Sequence, residues 1–317
     1  MKPNRLADIL GVAYPLILGP MRLITLGEMA AAVSNSGGFG QIAASGLSPS
    51  RLHKEIKKAG RLTDRPFGVN IPIYRKEALD QLEVCINCGI STITTSAGNP
   101  ANIMNLLKDF GIKVLHKVST VEMALKAEAA GVDGVIATGH EAGGHVGRNG
   151  TTTFCLVPML VDALRIPVVA AGGIADARGL TAALALGAVG VELGTRFVAT
   201  EEAPVPAFYK DLIVRATSEA TILLGKNAMP IRVLKNRATE GIRNPEKSKE
   251  DSQIQGAAAA RRYIQSGGDS DTAIMPAGQI AGVIRDIKSI KGILSEMVRD
   301  ASILSERIHR KFNQEDM

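Results

Sequence analysis

The chain has 317 residues, 45% hydrophobic and 21% charged, enough apolar material for one large domain or two ordinary ones. A net charge of +6 comes with no dense Arg/Lys block interleaved with aromatics, which argues against a nucleic-acid binder. No apolar run reaches the roughly 18 residues of a membrane span, the start lacks a secretory signal pattern, and three cysteines fit a reducing cytoplasm.

In chain order, one grammar repeats: a short β-rich run, a glycine or polar loop, then an amphipathic run ending near glycine. The predicted strands are "PLILGPM" (15–21), "FGQIAA" (39–44), "FGVNIPI" (67–73), "STITTSA" (91–97), "KVLHKVS" (113–119), "GVIATG" (134–139), "PVVAAGG" (167–173) and "GVELGTRF" (190–197). Helical runs separate them, among them 120–131 and 176–187, the latter opening on Asp176 as N-cap and closing at Gly187. "CINC" puts Cys85 and Cys88 on one helical face, with no second pair to complete a metal site, so both are expected to be free thiols. Eight strands alternating with helices predict an α/β fold, a (β/α)8 TIM barrel. An open doubly wound sheet is disfavoured because no GxGxxG follows the first strand.

After the eighth strand the pattern changes. Residues 200–278 carry two helical-looking pieces and the charged stretch 235–253, read as a helical insertion or lid. The barrel then comprises 1–199 and 279–317, with its last helix expected from Gln279 on.

In such a barrel the loops after the strands converge on one catalytic face. The strand ends contribute Gly19, Pro20 and Met21, then Asn70, Ser96, Ala97 and Lys117. Later strands add Glu141, Gly143, Gly144, His145, Gly172, Gly173, Gly194 and Thr195. Gly172, Gly173, Gly194 and Thr195 follow the seventh and eighth strands, where barrels often bind phosphate on exposed backbone N–H groups. The loop "GHEAGGHVGRNG" (139–150) lies beside them. Its glycine pair would let the chain lie flat against a planar ring, with His145 over that ring as acid or base. His140 has the weaker claim. Glu141 either meets a ligand hydroxyl or fixes the loop. His116, within a strand, is read as packing or orienting. Lys117 would stabilise electron density on a reduced ring.

"DRPFGVN", "EAGGHVG", "VVAAGGIAD" and "LGTRFVAT" together resemble the FMN-dependent nitronate monooxygenase (2-nitropropane dioxygenase) family. That family also holds FMN-dependent enoyl-acyl-carrier-protein reductases and NAD(P)H:quinone reductases. The resemblance implies one FMN in the barrel mouth. It matches Met21, Asn70, Lys117, Glu141, Gly144, Gly173, Gly194 and Thr195 to flavin-contacting positions and His145 to the active-site histidine. The activity expected first is oxidation of alkyl nitronates with O2. The alternative is an NAD(P)H-fed reductase of an enoyl thioester, on acyl carrier protein or CoA, or of a quinone. A phosphate-ligand barrel without catalysis is the third reading. "TTSAGNP" and "MPAGQIAG" look like the enoyl reductase branch, which would put Met275 and Gln279 in the lid over the flavin. The resemblance suggests a homodimer. One departure stands out: Leu18 replaces the Gln usual at the end of the first strand, and Arg22 follows.

Overall fold

The computed structural model describes residues 4–225, 229–242 and 269–313. Eight parallel strands form the central sheet: β1 (Leu16–Leu18), β2 (Gly40–Ala43), β3 (Phe67–Pro72), β4 (Thr92–Ser96), β5 (Lys113–Val118), β6 (Gly134–Thr138), β8 (Val168–Ala171) and β9 (Gly190–Leu193). Each pairs with its neighbours in sequence, and β9 returns to β1 in the register Leu16↔Val191. The Ile17↔Phe39 bridge joins β1 to β2 and closes the ring. The expected (β/α)8 barrel is therefore the fold.

Local chemistry explains the helices around it. Helix α3 (Pro49–Leu62) starts where the Ser48 hydroxyl accepts from the Arg51 N–H and Pro49 needs no partner for its nitrogen. Leu52, Ile56 and Ala59, spaced at helical intervals, bury its inner face. Helix α6 (Val121–Ala130) is capped by Thr120 and stopped by Gly131 at φ +85°. Helix α8 (Ala177–Ala185) has Asp176 as its N-cap, accepting from the Arg178 N–H, as expected.

Strand alternation sorts the side chains. Leu16, Leu18, Val69, Ile71, Val114, Val135 and Val191 point outward and join one core shared with the helices. A smaller core of Ile17, Phe39, Leu115, Ile136 and Val169 includes Leu6 and Leu10 of helix α1 (Arg5–Leu10). This helix therefore plugs the N-terminal end of the barrel. Higher up, the inward positions turn polar: Gln41, Asn70, Thr94, Lys117 and Glu192.

The insertion is mixed rather than helical. Among its described residues, α10 (Ala207–Val214) precedes a hairpin of β10 (Thr221–Leu224) and β11 (Ile231–Leu234), and α11 (Arg237–Ile242) follows. The hairpin gains a third antiparallel strand from β7 (Gly144–His145), in the register Ile231↔His145. Short four-residue runs carry little period of their own, and here a partner far back in the chain decides. The charged stretch 235–253 lies outside the described residues from 243 on. Gln279 opens only a 3-10 turn, Gln279–Val283. The closing helix, named α12 here (Ile290–Phe312), begins eleven residues later than expected, where Ser289 accepts from the Gly292 N–H and the chain packs against α8. The eighth barrel strand stops at Leu193, because Thr195–Val198 already forms a short helix, α9. Cys85 is buried, Cys88 half-buried and Cys155 exposed, and all three are free thiols. No described helix is long and apolar enough to cross a membrane.

Candidate active site

A cavity of about 420 Å³ opens at the C-terminal ends of the barrel strands. Gly19, Pro20, Met21, Asn70, Ser96, Ala97, Lys117, Glu141, Gly143, Gly144, His145, Gly172, Gly173, Gly194 and Thr195 all line it. Fifteen positions scattered over the sequence thus meet at one place because parallel strands end on one side of the ring.

The floor is a polar chain. Glu192, on β9, forms an ion pair with Lys117 on β5, its side chain only 4% exposed. Gln41 donates from Nε2 to Glu192 Oε2 at 3.3 Å and to the Leu18 carbonyl at 2.6 Å. Thr94 donates to Gln41 Oε1, and Asn70 Nδ2 donates to Thr94 Oγ1 at 2.9 Å. A buried carboxylate needs both a counter-charge and hydrogen bonds, and this chain supplies them. The Leu18 side chain points away, into the outer core, so the departure at that position lies outside the cavity.

The glycine side differs. Gly172 and Gly173 have φ of +96° and +73°, a region that favours glycine. A Cβ on Gly194 would meet nothing within 4 Å, so this residue borders open space. Thr195 instead accepts from the Gly278 N–H at 2.9 Å through its hydroxyl. Ala97, at φ +49°, is a non-glycine residue in the same left-handed region.

The histidine loop is held from two directions. Glu141 accepts from the Thr153 N–H at 2.8 Å and from its hydroxyl at 3.1 Å, at the start of helix α7 (Thr153–Ala163). Its carboxylate thus fixes the loop, and the same residue lines the cavity. Arg232 of β11, buried, donates from Nε and Nη2 to the His140 carbonyl at 3.2 and 3.0 Å. Gly143 has a structural reason of its own. A Cβ there would sit 2.6 Å from the Ala277 carbonyl carbon, so it lets two backbones touch. Gly144, at φ +73°, then turns His145 into the cavity.

Burial holds the His145 pKa below its ordinary 6.5, and the positive charges of Arg75 and Arg22 act in the same direction. Both influences favour the neutral ring. His116 points outward from the barrel, hydrogen-bonded through Nδ1 to Thr95 Oγ1 at 2.8 Å, and burial lowers it to about 4. It is a packing residue.

Two expected lid residues fall elsewhere. Met275 is fully buried in the outer core, and Gln279 is exposed. Extended backbone alternates its faces, so Ile274 and Pro276 line the cavity in place of Met275. Gln279 contributes its backbone N–H to the Glu141 carbonyl at 2.9 Å. Residues not singled out from the sequence also belong here: Gln41, Thr94, Glu192, Arg75, Thr138 and Arg232. Glu192 and Gln41 were detectable in principle, as polar residues at inward positions of apolar strands. Arg232 carries no such mark.

Known proteins give the arrangement a lineage. The nitronate monooxygenase family profile matches residues 3–300. A "probable nitronate monooxygenase" from Staphylococcus saprophyticus is 33% identical over 76% of this chain and 79% of its own. The "(3aS,4S,5R,7aS)-5-hydroxy-7a-methyl-1-oxo-octahydro-1H-indene-4-carboxyl-CoA dehydrogenase" of Mycobacterium tuberculosis is 30% identical, covering 93% and 95% of the two chains. The structure of FabK from Thermotoga maritima superposes with a TM-score of 0.93 at 38% identity, covering 98% of this chain and 99% of that one. With the whole barrel matched and the histidine loop inside it, the chain belongs to the nitronate monooxygenase family of oxidoreductases.

Proposed function

We propose that this enzyme binds FMN in the barrel mouth and uses NAD(P)H to reduce the double bond of an enoyl thioester. The cavity residues fit the flavin on three counts. Gly173 and Gly194 leave room for a phosphate against backbone. The buried Thr138 hydroxyl lines the cavity with no hydrogen-bond partner among the described residues, so it awaits one. Lys117 and Asn70 offer donors to a polar ring edge from the floor.

The apolar wall opposite the floor carries the choice of substrate. Met229, Ile231, Ile274 and Ile280 line the cavity on the insertion side. Such a wall suits an acyl chain better than a small nitronate, and it excludes water from the reacting atoms. The M. tuberculosis relative is, by its name, a dehydrogenase of a CoA thioester. "TTSAGNP" and "MPAGQIAG" point to the same branch. The order expected from sequence alone, nitronate oxidation first, is thereby reversed.

Bound FMN would supply hydride transfer between the nicotinamide and the carbon–carbon double bond. His145, neutral, presents an N–H able to hydrogen-bond a thioester carbonyl and stabilise negative charge developing on its oxygen. Arg232 and β11 hold that imidazole in place. Glu192 keeps Lys117 directed into the cavity. CoA or an acyl carrier protein carries the thioester, and a homodimer is the assembly that the resemblance suggests.

Nitronate oxidation remains the second reading, favoured by one observation. Arg22 and Arg75 line the same cavity as His145, and a cationic rim suits an anionic substrate. Anaerobic stopped-flow separates the two. The expected result is flavin bleaching by NAD(P)H and recovery on adding crotonyl-CoA. Bleaching by propyl nitronate with no response to NAD(P)H overturns the reductase.

A further inference from the structure

The barrel mouth carries two separate sources of attraction for anions. The glycine cradle lies after β8 and β9. In the ring order β1-β9-β8-β6-β5-β4-β3-β2, strand β3 stands four places from β8, directly across the mouth. Arg75 follows β3, and its guanidinium lies 5.2 Å from the centroid of the Tyr74 ring. Arg22 follows β1 but lies across the loop after β2. A Cβ on Gly46, at φ +81°, would come within 2.7 Å of Arg22 Nε. Gly46 is thus the seat for that side chain, and both guanidinium groups gather on the β2–β3 side.

The carboxylates of the cavity do not pair with Arg75. Among the described residues lining the cavity, only Glu141 and Glu192 are acidic. Glu192 is paired with Lys117, and Glu141 is engaged by Thr153. Arg75 makes no ion pair among the described residues, and its buried Nε has no hydrogen-bond partner there. A guanidinium kept beside a cavity without a carboxylate is a site for a planar or tetrahedral oxyanion.

We propose that Arg75, with Arg22 beside it, forms a second anion subsite that binds a phosphate group of a reactant, distinct from the flavin phosphate across the mouth. It rests on the reductase reading for its two sources: the diphosphate of NAD(P)H, or the phosphopantetheine arm of the thioester. Both present the same chemistry to a guanidinium. Nitronates carry no phosphate, so on that reading the guanidinium groups would meet the nitronate anion itself.

Calorimetry on the flavin-loaded protein provides the test, with inorganic pyrophosphate as probe, because the FMN phosphate then fills the cradle. Arg75→Gln should weaken pyrophosphate binding about tenfold or more, and Arg75→Lys by less, since one charged hydrogen-bonded contact is worth roughly that factor. Steady-state kinetics then identify the source. A raised KM for NAD(P)H alone assigns the diphosphate, and a raised KM for crotonyl-CoA alone assigns the pantetheine arm, with kcat little changed in either case. Unchanged pyrophosphate affinity in Arg75→Gln, and again in the Arg22→Gln/Arg75→Gln double variant, overturns the subsite. Pyrophosphate binding needs no turnover, so a protein whose flavin ignores NAD(P)H would refute the reductase while leaving the subsite to be judged by itself.

Discussion

The two walls of the cavity are built on different principles. The glycine wall after β8 and β9 is made within single strand–loop units, and its key property is what it lacks: side chains. The histidine wall is assembled from three distant pieces. His145 sits on β7 and pairs with β11 of the insertion, while Gly143 just before it packs on the returning segment at Ala277 and Gly278. A local wall is broken by adding bulk, whereas an assembled wall is broken by removing a tie.

The largest effect is expected on the local side. Gly194→Glu should abolish FMN binding, because the new side chain starts in open cavity space and puts negative charge where the phosphate would lie. The fold should persist, since a Cβ there touches nothing. A soluble variant that purifies with full yellow colour would move the phosphate to another place.

On the assembled side, His145→Ala should lower turnover about 10² to 10⁴-fold while flavin content stays unchanged. Rapid-reaction kinetics on the loaded variant measure this, and unaltered turnover would remove His145 from the chemistry. Because its pKa is lowered, the wild-type rate should stay flat through neutral pH and respond only below the ordinary value of 6.5.

His116 probes the barrel itself. Its folded pKa is about 4 against 6.5 for the ordinary ring, so the unfolded chain takes up the proton first as pH falls. Its stabilising contribution is complete above 6.5 and is lost on going down to about 4, some 3 kcal/mol in all. Denaturant titrations at pH 7 and pH 4 should show that loss shrinking in His116→Asn. Equal losses in both proteins would locate the acid sensitivity in other groups.

The smallest effect belongs to a tie. Arg232→Gln removes donors from the half-buried His140 carbonyl and should cost about 1–3 kcal/mol. Hydrogen exchange should rise in residues 140–146 and not around Gly172 and Gly194. Uniform loosening of both walls would erase the distinction between them.

The same distinction explains what could be read in the sequence. "VVAAGGIAD" and "LGTRF" announce strand, turn and helix within a few residues, so the glycine wall was legible. The histidine was legible as chemistry, but its support was not: nothing in "TILL" or "IRVL" names "GH" as a partner. Met275 and Gln279 were placed in the lid by likeness to a motif. Only the alternation of an extended segment, fixed by contacts on both faces, sends Ile274 and Pro276 inward instead. The tie from the Glu141 carboxylate to the Thr153 amide joins residues twelve apart, and no local pattern showed it.

By itself the sequence determined the periodic part: eight strands, the order of the loops, and which residues reach the barrel mouth, because strand period and glycine turns are written over short windows. The tertiary structure alone decided the polar floor from Gln41 to Lys117, the three-stranded sheet that carries His145, and the gathering of Arg22 and Arg75 opposite the glycines. Those depend on pairings between segments tens to hundreds of residues apart, and no local pattern encodes the partner.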